Sequence, residues 1–257
     1  MVDLGLRADR IRFGYSGYER LAYDYATGRY GPGEGAIDLD VEFTTLSPRI
    51  GVVRQLGRSL HAYGSVAAGA QTPTADELSL NPELQLTRVV NYELGLKGRM
   101  SGINFDAAVF WCPVDDEVVQ LIQGQGETGY VNAGKTEKTG FEFALDYRPN
   151  EEILVGGSYT YSDFVFEEFS EPVRGRDLDR SGNKLPFIPT HQYAVFVQWA
   201  GASGLHFRLS SATWGEYFMD NANSEIYGGY QLATDLTIGY NYGRYQIALL
   251  FQNLFDQ

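Results

Sequence analysis

Asn91-Tyr92-Glu93-Leu94-Gly95-Leu96-Lys97, then Arg99-Met100-Ser101-Gly102, then Ile103 through Trp111: the reading of this stretch decides the fold. In the first piece Tyr92, Leu94 and Leu96 share one face of an extended chain, and Asn91, Glu93 and Lys97 share the other. In the last piece Ile103, Phe105, Ala107, Val109 and Trp111 line one face, and Asn104 and Asp106 open the opposite one. A helix repeats every 3.6 residues and would scatter both sets around its circumference; a strand repeats every two. The polar, glycine-containing piece between them reads as a tight turn. The stretch is therefore a β-hairpin with one apolar and one polar face.

The pattern recurs along the chain. Phe141, Phe143, Leu145 and Tyr147 alternate with Glu142, Ala144 and Asp146. Tyr193, Val195, Val197 and Trp199 form another apolar face. Leu232, Leu236, Ile238 and Tyr240 do so with Asp235 opposite, and Tyr245, Ile247, Leu249 and Phe251 face away from Gln246 and Gln252. Composition agrees: 18 Tyr, 15 Phe and 30 Gly favour strands and turns over helices.

Connections alternate between short and long. The short ones fall near 56–58, 99–102, 149–151, 201–204 and 242–244. The long ones run about 16–43, 72–88, 114–137, 166–189 and 218–229. In an antiparallel meander every second connection lies at the same end, so all short turns share one end and all long loops the other. Outer-membrane barrels have that asymmetry. About eleven strands of roughly 10–14 residues are expected, and about 9–11 suffice to cross a bilayer at a tilt. The expected fold is all-β: an antiparallel up-and-down transmembrane β-barrel, here a partial barrel formed by residues 1–257. Glu93, Lys97, Asn104, Asp106, Glu142, Asp146, Arg208, Asp235 and Gln246 would face a wet or plugged lumen. In a sandwich core that many charges would cost several kcal/mol each unless paired. Closed bacterial barrels use an even strand number, so an odd count, with the start at Met1 and the stop after Gln257, is read as truncation at both ends. Residues 1–20 lack a signal-peptide pattern.

A family resemblance rests on motifs in order. Tyr63-Gly64-Ser65-Val66-Ala67-Ala68-Gly69-Ala70-Gln71-Thr72-Pro73-Thr74-Ala75-Asp76-Glu77-Leu78 is followed by Asn81-Pro82-Glu83-Leu84 and Asn91-Tyr92-Glu93-Leu94-Gly95-Leu96-Lys97-Gly98. Then come Tyr130-Val131-Asn132-Ala133-Gly134-Lys135-Thr136, Thr139-Gly140-Phe141-Glu142, Gly182-Asn183-Lys184-Leu185-Pro186, Pro189-Thr190-His191 and Asn253-Leu254-Phe255-Asp256. The series resembles the barrel of TonB-dependent receptors from about residue 44 onward. One departure is Gly69-Ala70-Gln71, where the family carries an arginine. The resemblance implies the C-terminal portion of a barrel of twenty-two strands around a plug. It further implies uptake of a scarce nutrient, commonly a ferric siderophore, energised by the TonB complex. The partners implied are outer-membrane lipid, an N-terminal plug domain, the TonB complex and a small-molecule nutrient or metal chelate. The plug and the TonB-contacting segment are not among these residues.

Other chemistry is thin. His61, His191 and His206 are too scattered for metal-ligand spacing. Cys112, the only cysteine, reads as a small apolar residue. Asp115-Asp116-Glu117 is a calcium candidate or, more simply, a solvated strand end. Arg174, Arg176 and Arg180 lie in one long loop. They are candidates for an anionic ligand, or for pairing with their neighbours Glu171, Asp177 and Asp179. Trp214, Tyr217 and Phe218 sit where a strand meets a loop, as ligand contacts or as interfacial aromatics. No catalytic constellation or cofactor motif stands out, so neither an enzyme nor a cofactor is expected. A net charge of -13 without a basic run argues against nucleic acid. The leading reading is a transport receptor of the bacterial outer membrane. A passive porin-like channel and a soluble ligand-binding β protein are the alternatives.

Overall fold

The structure, a computed structural model, describes residues 1–18, 21–24, 28–32, 36–123, 127–173 and 175–256. Its main body is one antiparallel sheet of eleven strands. In spatial order these are β1 (Val2–Tyr18), β4 (Ala36–Gln55), β5 (Leu60–Gln71), β6 (Thr87–Met100), β7 (Ile103–Gln123), β8 (Glu127–Tyr147), β9 (Ile153–Glu168), β12 (His191–Ala200), β13 (Leu205–Trp214), β16 (Tyr230–Tyr242) and β17 (Tyr245–Phe251). Three two-stranded hairpins ride on the long connections: β2 (Leu21–Asp24) with β3 (Arg29–Pro32), β10 (Ser170–Val173) with β11 (Arg176–Asp179), and β14 (Tyr217–Phe218) with β15 (Ile226–Tyr227). The edge strands β1 and β17 do not pair with each other, so the sheet is an open part of a barrel wall.

Paired residues in an antiparallel sheet point to the same side, so register sorts the two faces. One row runs Leu96, Ala107, Phe143, Tyr159, Tyr193; the row beside it runs Lys97, Asp106, Ala144, Ser158, Ala194. The same bookkeeping places Tyr92, Leu94, Phe105, Val109, Phe141, Leu145, Ile247 and Leu249 on the apolar face. It places Glu93, Glu142, Asp146, Asp235 and Gln246 on the polar one. The apolar face is bare: Leu94 is 66% exposed and Ile247 67%. Such a contiguous apolar surface needs a nonaqueous cover, and a bilayer supplies it. On the polar face Lys97 pairs with Asp106 at 2.8 Å and Arg49 with Asp3 at 2.8 Å.

Both borders of the apolar band carry an anchored tryptophan. Trp111 stacks on Tyr92 and donates its indole N–H to Glu137 at 2.7 Å. Trp199, at the short-turn end, stacks on Phe207 and donates to Glu152 at 3.1 Å. Amphipathic rings sit at the headgroup level for this reason: the body is apolar and one edge must hydrogen-bond. From Ile103 to Trp111 the band spans about 26 Å along a strand. At a tilt of about 40° that is roughly 20 Å of height, near the ~25 Å expected of such barrels. Above it the same face turns ionic, with Arg10–Glu42 at 2.7 Å and Arg12–Asp40 at 2.5 Å.

Two expectations needed correction. The stretches 16–43 and 114–137 are not loops throughout: β4 begins at Ala36, β7 runs to Gln123 and β8 begins at Glu127. Strands of 20 and 21 residues therefore exceed the expected 10–14. Continuing the ladder satisfies every backbone group without new partners, which an irregular loop cannot do as cheaply. The second correction is α1 (Ala75–Leu80), inside the expected loop 72–88. Thr74 caps it: its hydroxyl accepts from the Glu77 N–H at 3.3 Å, and the Glu77 carboxylate accepts from the Thr74 N–H at 2.7 Å.

Candidate functional site

Above the band the loops build a packed crown. Phe166, Phe169, Leu185, Val119, Leu121 and Ala133 form one apolar cluster. Leu78 of α1 joins Leu84, Leu39 and Phe43 in another, against which Val118 and Tyr130 rest. The β7–β8 hairpin is thus held on both sides. Asp116, with φ 57, marks the change. Beyond it Glu117 turns to the side of Lys138 and Thr136, bonding both, Lys138 at 2.6 Å.

Within the crown, a polar network joins the β7–β8, β9–β12 and β13–β16 connections. Arg180 Nε donates to Glu171 Oε2 at 2.6 Å, with the two side chains only 17% and 10% exposed. Asn221 donates to Glu171 Oε1 at 2.9 Å and to the Gln120 carbonyl at 3.0 Å. The Asn221 carbonyl accepts from Asn183 at 2.8 Å. Asn223 accepts the Lys184 N–H at 2.7 Å and returns a bond to the Lys184 carbonyl at 2.9 Å. Lys184 also pairs with Asp163. Burial pushes the Asp220 carboxyl up, but the Ser224 hydroxyl, the Ser224 and Glu225 N–H groups and the Arg180 charge together hold it below the usual value.

This network walls a cavity of about 150 Å³, lined on its polar side by Gln120, Glu171, Arg180, Asp220 and Asn221 and on its apolar side by residues including Phe187 and Met219. Asn221 is 5% exposed, and its Oδ1 atom is buried with no partner.

The residues singled out from sequence are dispersed. Arg180 lies in the buried network, paired with Glu171 as one of its two readings expected, though inside the crown and not on its surface. Arg176 is exposed on β11. Arg174 lies outside the described residues. Tyr217 packs on Tyr227 and Phe187, with ring centroids 5.2 and 6.3 Å away. Trp214 pairs with Gln192 and so sits on the polar face of the sheet, away from the lipid border. His191 is on the apolar face beside Tyr159 and Tyr161, while His61 and His206 are on the polar face. Asp116 pairs with Arg88, and Glu117 with Lys138. Among the described residues no group of three His, Cys, Asp or Glu side chains is placed to hold a metal. Asn183 stood in the Gly182-Asn183-Lys184-Leu185-Pro186 motif without a role, and Asn221 and Asn223 were not singled out. The signal for the latter two was the run Met219-Asp220-Asn221-Ala222-Asn223-Ser224, dense in side chains that bond their own backbone.

Comparison with known proteins gives a consistent picture. Residues 1–254 match the family model described as TonB dependent receptor-like, beta-barrel. The pesticin receptor of Yersinia enterocolitica is 28% identical over 175 residues, 65% of this chain and 24% of that protein. Among solved structures, the siderophore receptor PiuA from Acinetobacter baumannii superposes over 100% of this chain and 36% of its own, with TM-score 0.78 and 20% identity. The ferric yersiniabactin uptake receptor FyuA from Yersinia pestis does so over 100% and 38%, with TM-score 0.70 and 21% identity. The chain spans about a quarter of the length of the curated relatives it matches.

Proposed function

This chain belongs to the TonB-dependent receptor family of outer-membrane barrels, and we propose that it forms the C-terminal part of the barrel of a receptor that imports a scarce nutrient of the ferric-siderophore class. The observation that carries this reading is the segregation of one sheet into a bare apolar face and an ion-paired polar face beneath a packed crown. A soluble protein would hide the apolar face instead of presenting it. The names of PiuA and FyuA point to iron chelates as the class of cargo.

In this reading Arg174, Arg176, Trp214 and Tyr217 contact the ligand from the loops, and Arg180 acts from within the crown. The plug domain and the TonB complex are the partners, and outer-membrane lipid covers the apolar face. The test is uptake of radiolabelled ferric chelates by cells carrying or lacking the gene, each with and without TonB. Accumulation that needs both supports the proposal. Gene-dependent accumulation that persists without TonB would instead favour the porin-like channel.

A further inference from the structure

The outward face of the sheet is not an even wall. A groove of about 540 Å³ is cut into it along β5. Gly64 and Val66 form its floor, Ile50 and Val52 of β4 one wall, and Tyr92 and Leu94 of β6 the other. Register sets this up: Gly64 lies between Val52 and Leu94, and Val66 between Ile50 and Tyr92. The Tyr92 wall is backed by Trp111, stacked on it with ring centroids 5.0 Å apart. Above the groove β5 turns only Ala68 and Ala70 outward, beside Val90 and Arg88, so the furrow continues up to the ionic part of this face. From Gly64 to Ala70 is about 20 Å along the strand and, at a tilt of about 40°, roughly 15 Å of height. That is about half of a ~30 Å hydrocarbon core.

We propose that this groove is a binding site for one acyl chain of an outer-leaflet lipid, held as an ordered ligand and not as exchanging solvent. The occupant follows from continuity with the lipid-covered face, since the groove is part of the apolar band. The rest of the barrel joins at the edge strands β1 and β17 and does not cross the outward face. In hydrocarbon, apolarity alone distinguishes nothing, because lipid tails are as apolar as leucine; packing decides. A chain on a flat wall touches protein on one side. A chain in the groove touches the floor and both walls, and each contact adds its small dispersion gain. The volume falls in the range of small-molecule sites, about 300–1,000 Å³. The upper end of the furrow does not choose a headgroup by charge. Arg88, Asp115 and Lys135 stand side by side there in register, and Asp116 and Glu168 pair with the two cations. Both signs are present, so the chain and not the headgroup sets the affinity.

Only the membrane face is involved, so the outcome does not depend on which cargo the uptake experiment finds. The test is native mass spectrometry of the complete receptor in detergent. It is titrated with phosphatidylethanolamine or phosphatidylglycerol carrying palmitoyl chains, and with the dihexanoyl form of each. The expected result is one tightly held palmitoyl lipid, with either headgroup, and weaker binding of both short-chain forms. Gly64→Leu raises the floor. A Cβ there meets Leu94 Cδ2 at 2.9 Å, the end of a flexible side chain, and the Glu93 carbonyl only at 3.6 Å. Val66→Phe fills the groove from a position that already carries an outward side chain, and it keeps the test open should Gly64→Leu fail to fold. Each should weaken binding about tenfold, the ratio that a ~1.4 kcal/mol loss produces. Val195→Phe, exposed on the same face of β12, should leave binding unchanged. Binding to the unaltered receptor no tighter than to Val66→Phe would overturn the proposal. So would selection of one headgroup whatever the chain length. A dimer carrying no lipid would also overturn it and give the groove to a second copy.

Discussion

The lower and upper halves of the β7–β8 hairpin use the same alternation for opposite ends. Below Trp111, Val109 is 50% exposed, and Phe143 and Leu145 on the partner strand are 37% and 36% exposed. Above Asp116, Val119, Leu121 and Ala133 are 8%, 3% and 0% exposed. One ladder runs through both halves without a change of register. The difference comes from what lies against the strands: lipid on one side below, folded loops on both sides above. An apolar side chain every second residue states that a face must leave water. It does not state whether lipid or protein will receive it.

The largest expected effect separates the two halves energetically. Phe166, fully buried in the crown, loses about 3–5 kcal/mol of packing on substitution by Ala. Hydrogen exchange should show the amides of 117–133 and 164–188 opening while those of 92–110 stay protected. Equal deprotection of both sets would mean that band and crown unfold as one unit.

Leu96→Arg probes the band. A charge facing lipid near mid-depth costs about 2–4 kcal/mol, and less toward the interfaces. The readout is denaturant unfolding of the complete receptor in lipid vesicles. No measurable loss would place Leu96 away from lipid and invert the assignment of faces. A smaller effect is expected at the α1 cap, where Thr74→Ala should cost about 1 kcal/mol. It should raise exchange at the α1 amides and leave the band untouched.

The smallest effect is acid loosening of the crown. The folded Asp220 carboxyl lies below its ordinary value of 3.8. Its contribution is therefore complete above that value and is lost as pH falls below it toward the folded value. The group is only partly buried, so the loss is modest. A pH series of exchange at residues 218–225 should show it, and Ser224→Ala should flatten it. An unchanged profile in that variant would remove Ser224 as the cause.

Much of this is legible in the sequence. The alternation in 91–97 and 103–111 carried the strands, their register and both faces, because a period of two admits no other regular structure. The short-long rhythm placed the loops at one end. The helix at Ala75–Leu80 was also legible in Thr74-Ala75-Asp76-Glu77, a capping-box spacing, although the surrounding segment read as a loop. Strand ends at the crown were not legible. Ladder pairing past Asp116 depends on partners about 40 residues or more away, such as Phe166 and Leu185.

The crown cavity marks where sequence stopped being informative. Arg180 and Glu171 stand nine positions apart and were readable as a pair on the surface. Their burial was not readable, because Asn221 comes from another loop 50 positions from Glu171, and the Gln120 carbonyl from β7, 101 positions from Asn221. The sequence by itself determined the periodicity, the two faces, the order of turns and the family, because these follow from local spacing and motif order. Only the tertiary structure decided which apolar residues meet protein instead of lipid, and which buried acceptor is left without a donor. Those depend on where distant loops meet, and loop closure leaves no period in the chain.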